Sequence, residues 1–205
     1  MTVLLTGALA AAQAPLAAAE TLRVVAFGDS LMAGYQLAPP EGFAPRLEAA
    51  LRAAGYDVDV VNAGVSGDTT TGGRARLDWA IADGADLVIL ELGANDALRG
   101  IGPEITEGNL KAMITSLKAR NIPVLLAGML APPNMGAEYE AAFNAIFPRL
   151  AEAHDLPLYG FFLDGVAAQP DLLLTDGMHP NPRGVERIVA GILPQVTAIL
   201  DRLSR

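Results

Sequence analysis

The chain has 205 residues, 52% hydrophobic and 18% charged, a balance that suits one folded domain and excludes a disordered chain. A formal charge of −9 gives no clustered cations for nucleic acid and no attraction to anionic membranes. There is no cysteine, so disulfides, thiolate catalysis and Cys-bound zinc are excluded; the two histidines, His154 and His179, stand in no H-E-x-x-H pattern, which argues against a catalytic metal.

Residues 1–19 are apolar and alanine-rich and close on Ala17-Ala18-Ala19, as in the h-region and cleavage site of a secretory leader, although no Lys or Arg precedes Arg23. Gln13 and Pro15 interrupt the run, against a membrane anchor. The expectation is a signal peptide over 1–19, a mature domain over 20–205 and a periplasmic or secreted location; the competing reading is an ordinary N-terminal helix. The next stretch, Val24-Val25-Ala26-Phe27-Gly28-Asp29-Ser30, reads as a buried strand whose closing turn presents Ser30 at the strand's carboxyl end, where ligands bind in open parallel sheets. Taken alone, Ser30 serves equally well as a helix cap.

Apolar spacing then predicts a helix over 42–54, stopped by Gly55, and a strand over 58–63 that runs into Gly64-Val65-Ser66-Gly67-Asp68. A helix over 69–82 and a strongly apolar strand over 86–92 follow, the latter ending at Gly93-Ala94-Asn95-Asp96. Beyond them come a helix over 105–120, a strand over 123–129, a proline-rich loop over 131–134, a helix over 137–153, a strand over 156–162, a loop over 174–182 and a last helix over 183–203. Strands alternating with helices through short connections predict parallel βαβ units in one doubly wound, three-layer α/β domain.

The strand-end loops hold Ser30, Gly67, Asn95 and the pair Asp176/His179. A nucleophilic serine needs a base, a carboxylate to orient that base, and donors for the oxyanion. Of the four serines, Ser116 falls in a predicted helix and Ser204 at the chain end, which leaves Ser30 and Ser66. His154 closes a helix, where an imidazole meets terminal carbonyls. His179 lies in the rigid run Thr175-Asp176-Gly177-Met178-His179-Pro180-Asn181, and a single turn brings Asp176 to its Nδ1; the plainer role for Asp176 is an Asx-turn. Gly67 and Asn95 suit oxyanion donors, one through an N–H unobstructed by a Cβ and the other through its amide; their plainer roles are turn former and helix cap. No Lys follows the glycines, there is no G-x-G-x-x-G, and no G-x-S-x-G elbow is present.

Gly28-Asp29-Ser30-Leu31, Val65-Ser66-Gly67-Asp68-Thr69, Gly93-Ala94-Asn95-Asp96 and Asp176-Gly177-Met178-His179-Pro180 resemble, in order, the four blocks of the SGNH (GDSL) hydrolase family. Ala94-Asn95-Asp96-Ala97-Leu98-Arg99-Gly100 is most similar to the bacterial thioesterase and arylesterase branch. The resemblance implies a flavodoxin-like α/β/α sandwich with a parallel five-stranded sheet, and cofactor-free hydrolysis of esters and thioesters. It implies Ser30 as nucleophile, His179 as base, Asp176 as the orienting acid, and an oxyanion hole of Ser30 N–H, Gly67 N–H and the Asn95 side chain. Met32 departs from the small residue, often serine, of many relatives and alters the pocket beside the nucleophile. Leu31, Met32, Leu130, Pro132 and Tyr139 are expected to line the substrate groove, with Phe143 packed under the sheet. The substrates expected are short- to medium-chain acyl or aryl esters and thioesters, with lysophospholipids a further candidate. A carbohydrate deacetylase or a non-catalytic flavodoxin-like module are the competing readings; the scarcity of aromatic platforms and the four intact blocks weigh against them.

Overall fold

The computed structural model describes residues 21–203, and the expected leader over 1–19 lies outside them. Five parallel strands, β1 (Leu22–Gly28), β2 (Val58–Gly64), β3 (Leu87–Glu91), β4 (Val124–Ala127) and β5 (Leu158–Tyr159), lie in the order β2-β1-β3-β4-β5. β1 and β3 are central because Val24 to Phe27 and Leu87 to Leu90 are unbroken apolar runs, buried on both faces as an internal parallel strand requires. β2 alternates buried Val58 and Val60 with exposed Asp59, the pattern of an edge strand.

The chain winds outward from β1 to β2, then returns across β1 to β3. Right-handed crossovers running in opposite directions place their helices on opposite faces. α2 (Phe43–Ala53) therefore packs with the last helix, α8 (Pro182–Leu203), on one face, while α3 (Thr70–Ala80), α5 (Pro103–Ala119) and α7 (Ile146–His154) cover the other. α8 buries Val185, Ile188, Val189, Ile192, Val196 and Ile199, a single stripe at helical spacing against the sheet. The reversal between β1 and β3 opens a crevice at the strands' carboxyl ends, the usual ligand position for this strand order. Two short helices start there: α1 (Ser30–Ala33) after β1 and α4 (Ala94–Leu98) after β3.

Four elements differ from the sequence reading. α1 and α4 fall where no helix is expected, because four or five residues carry too little periodicity to show. The helix expected over 137–153 is two, α6 (Ala137–Asn144) and α7, because Pro148 has no N–H for the carbonyl of Asn144 and its ring crowds that carbonyl. The Asn144 side chain accepts the Ala131 N–H at 2.8 Å. β5 keeps only two of the seven residues expected over 156–162, since the chain leaves the edge at Gly160. No described helix is long and apolar enough to cross a membrane.

Candidate active site

Ser30 opens α1, directly after Asp29, whose carboxylate accepts the Leu31 N–H at 3.0 Å and caps the turn. Ser30 Oγ lies 2.9 Å from His179 Nε2, and His179 Nδ1 lies 2.7 Å from Asp176 Oδ2. The other oxygen of Asp176 accepts the backbone N–H groups of Met178 and His179 at 2.9 and 3.0 Å. Asp176 thus holds an Asx-type turn with one oxygen and faces the imidazole with the other. The two N–H donors, His179 first, hold its carboxyl down at a pKa of about 2. A carboxylate that stays ionised has no proton to give, so the neutral imidazole carries its proton on Nδ1 and turns the Nε2 lone pair to the Ser30 hydroxyl. The Tyr35 ring packs on the imidazole with centroids 4.4 Å apart.

The His179 loop is closed by its own neighbours. Leu174 N–H donates to His179 O at 2.8 Å, and Asn181 Oδ1 caps α8 by accepting from Arg183 and Gly184 N–H at 3.0 and 3.1 Å. Asn181 Nδ2 reaches back to the carbonyls of Asp171 and Leu173. The capping role of Asn181 escapes the sequence reading, although an Asn one residue before Pro at the start of a helix is its signal.

Asn95 lies in the first turn of α4 and donates one amide N–H to Asp29 Oδ2 at 3.1 Å, leaving the second for a ligand. It borders the same groove as Ser30 and His179. Gly67 sits on the adjoining β2–α3 turn, outside that groove's lining; its φ of +83° requires glycine, and its carbonyl accepts from Arg99 at 2.8 Å. Val65 N–H donates to Gly28 O at 3.0 Å and so ties this turn to the end of β1. Ser66 is exposed on that turn, and His154 is at the far end of α7.

Beneath Ser30 lie two buried carboxyls that the sequence reading overlooked. Asp29 N–H donates to Glu91 Oε2 at 3.3 Å, and Gly28 admits Glu91 only because a Cβ there would collide with its carboxylate. Burial pushes the Asp29 carboxyl up to about 6, against the lowering effect of Leu31 N–H and Asn95. Burial, and then the charge on Asp29, raise Glu91 well above its ordinary value. Two carboxyls this close and this buried disfavour a second charge, and Asp29 is the one whose oxygen accepts the Asn95 amide N–H. The signal for Glu91 is a lone glutamate inside the most apolar strand.

An apolar groove of about 450 Å³ runs from Ser30 and His179, lined by Leu31, Leu130, Pro132, Phe161, Leu163 and Met178 among others. Leu31, Leu130 and Pro132 are where the sequence places them. Met32 is not: it is fully buried, because on so short a helix the residue after Leu31 turns into the core beside Gly28. Tyr139 is not in the groove either. The break at Asn144 leaves α6 over α5, where Tyr139 lines a separate, more open recess beside Glu104 and Glu138, donates to Ile101 O at 2.7 Å and stacks on buried Phe143. Trp79 is 79% exposed on α3 and also lies outside the groove. Among the described residues no group of three His, Asp or Glu side chains is placed to hold a metal ion.

Residues 26–187 match the model of the GDSL-like Lipase/Acylhydrolase family. The chain is 41% identical over 161 residues to an arylesterase of Vibrio mimicus, covering 78% of this chain and 80% of that one. It is 40% identical over 166 residues to Thioesterase 1/protease 1/lysophospholipase L1 of Escherichia coli K12, covering 80% and 77%. Among solved structures it resembles AlinE4, an SGNH-hydrolase family esterase, at 45% identity with a TM-score of 0.75, covering 90% of this chain and 99% of that one.

Proposed function

Because the chain belongs to the GDSL-like lipase/acylhydrolase family, and its relatives are esterases and thioesterases, we propose that it hydrolyses short- to medium-chain acyl or aryl esters and thioesters through an acyl-enzyme on Ser30. The observation that carries this reading is the unbroken array from Ser30 Oγ through the His179 imidazole to the Asp176 carboxylate, at the head of an apolar groove.

In the first step Ser30 Oγ attacks the substrate carbonyl carbon and its proton passes to His179 Nε2. Asp176 stabilises the imidazolium. The negative oxygen of the tetrahedral intermediate is met by the Asn95 amide and by the N–H groups of Ser30 and Gly67, fixed in place before the charge develops. Collapse breaks the C–O or C–S bond, and Nε2 returns its proton to the departing alcohol or thiol. Water then enters, gives a proton to Nε2 and attacks the acyl carbon, and the acid leaves as Ser30 recovers its hydrogen.

The acyl or aryl group lies along the Leu31, Leu130 and Phe161 side of the groove. Each methylene it buries there is worth about 0.8 kcal/mol, roughly fourfold in kcat/KM. Across p-nitrophenyl esters from acetate to decanoate, kcat/KM is expected to climb by up to about that factor per methylene and level off when the groove is full. A flat, negligible response, or acetate as the best substrate, counts against the reading, the latter in favour of a deacetylase. We further propose that residues 1–19 are an export leader, supported by the alanine-rich run that closes on Ala17-Ala18-Ala19. Mass spectrometry of the exported protein tests this, and a mature form that retains Met1 overturns it.

A further inference from the structure

Arg76 takes no part in the chemistry above, yet its guanidinium joins three segments that frame the site. It lies on α3 with its guanidinium carbon 4.2 Å from the centroid of the Phe27 ring. Nη2 donates to Gly28 O and Nη1 to Ala63 O, both at 2.8 Å, while Nε donates to Asp68 Oδ2 at 2.5 Å. Gly28 is the last residue of β1 before the Asp29-Ser30 turn, Ala63 is the penultimate residue of β2, and Asp68 directly follows Gly67. The Arg76 and Asp68 side chains are only 17% and 16% exposed. Asp68 is seated against Gly72, one helical turn before Arg76, where a Cβ would collide with Asp68 Oδ1.

We infer that Arg76 is a positioning residue for the oxyanion hole: bound at once to Gly28 O and to the Asp68 carboxylate, it sets the turn that carries Gly67 against the turn that carries Ser30. The inference rests on the proposed roles of Gly67 and Ser30. A planar guanidinium satisfies three acceptors in one plane, which a lysine ammonium at the end of a flexible stem does not. Its partners are backbone carbonyls at two strand ends, so the frame it refers to is the sheet itself. Arg99 holds the same turn from outside, through Gly67 O, but from an exposed position. A displacement of about 1 Å in a catalytic donor costs on the order of a hundredfold in rate, so a clamp at this point acts on turnover rather than on substrate affinity.

The test compares Asp68→Ala, Asp68→Asn and Arg76→Lys with the parent enzyme. Asp68→Ala cuts the tie to the Gly67 turn but spares the two strand-end bonds, so it stays informative where Arg76→Lys fails to fold. The expected result is a kcat about ten- to a hundredfold lower for Asp68→Ala with KM within about twofold, because the donor's placement is lost while the groove that holds the substrate is untouched. Asp68→Asn keeps an oxygen for Nε and is expected to recover most of the loss, while a folded Arg76→Lys behaves like Asp68→Ala. Parental kcat in Asp68→Ala overturns the inference, with or without a lower melting temperature, as does a rise in KM at unchanged kcat. If Ser30→Ala abolishes activity while Asp68→Ala turns over like the parent, the clamp fails and the hydrolase reading stands; if Ser30→Ala stays active, it is the hydrolase reading that fails.

Discussion

The two sides of the catalytic crevice are built in opposite ways. The His179 side is local: Asp176, Met178 and His179 are bonded to one another within four residues, and the loop is closed by Leu174 and Asn181. The proposed oxyanion side is assembled from afar, with Asn95 held by Asp29, Asp29 set over Glu91, the Gly67 turn held by Arg76 and Arg99, and Asp96 bonded to Thr70 and Thr106. A local motif needs few residues to be right, whereas the remote one depends on the whole sheet being in register. The His179 side should therefore lose rate when mutated and keep its fold, while the oxyanion side should lose both.

The sharpest break in that contrast is Asp176→Asn. The amide retains an oxygen for the Met178 and His179 N–H groups but presents an N–H to Nδ1, which favours the wrong tautomer. A fall in kcat on the order of 10⁴ is expected, with a melting temperature at neutral pH only modestly below the parent's. Steady-state kinetics and a thermal melt read both quantities, and equal losses of rate and stability would contradict a locally built loop. Next in size is Asn95→Ala, which removes one proposed oxyanion donor and is expected to cost about 2.7–4 kcal/mol in the transition state, seen as a 10²–10³-fold fall in kcat at nearly constant KM.

Asp96→Ala tests the remote side for stability. It strands the buried Thr70 N–H, which donates to Asp96 Oδ2 at 2.8 Å, and the Thr70 and Thr106 hydroxyls bound to Oδ1. Each orphaned group costs about 1–3 kcal/mol, so chemical denaturation should show a loss of at least ~2 kcal/mol, with the rate falling as well because the network joins the Gly67 turn to α4. Little change in either quantity would mean that the two donors are held by something else.

The smallest effect separates the two sides by pH. Glu91 ionises near 4.5 when unfolded but well above that when folded, so the native state keeps an extra proton, and the stability this contributes is lost as pH rises through the native value. Asp176 runs the other way: held at about 2 against an ordinary 3.8, it contributes stability above 3.8 that is lost as pH falls towards 2. Glu91→Gln keeps an oxygen for Asp29 N–H and removes the ionisation. Its melting temperature, relative to the parent, should rise as pH increases above about 4.5, whereas Asp176→Asn should narrow its gap to the parent below pH 4. A pH-independent offset in Glu91→Gln would contradict a Glu91 carboxyl raised by burial.

Legibility in the sequence follows the same division. The runs Val24 to Phe27 and Leu87 to Leu90, the glycine-rich strand ends and the Asp176–His179 spacing are short-range patterns, and they delimit the sheet and bring forward the residues that meet at Ser30. The dual use of Asp176 was open in advance because both of its roles are local. What sequence spacing does not reveal is which way a side chain turns on a four-residue helix, and so Leu31 and Met32 part company. Tyr139 is misplaced for a related reason: one proline four residues beyond Asn144 ends α6 and directs that ring into another recess. Glu91, Asp96 and Arg76 carry no assigned partner in the sequence, because hydrogen-bond partners of theirs lie as far as 62, 26 and 48 residues away.

The proposed mechanism requires one hydroxyl, that of Ser30, to be the group that bonds to the acyl carbon. Reacting the protein with a fluorophosphonate and mapping the adduct by peptide mass spectrometry tests it most directly. One adduct per chain on Ser30, absent from Ser30→Ala along with all ester hydrolysis, is the predicted result. An adduct on Ser66, or hydrolysis that survives the loss of Ser30, would contradict it.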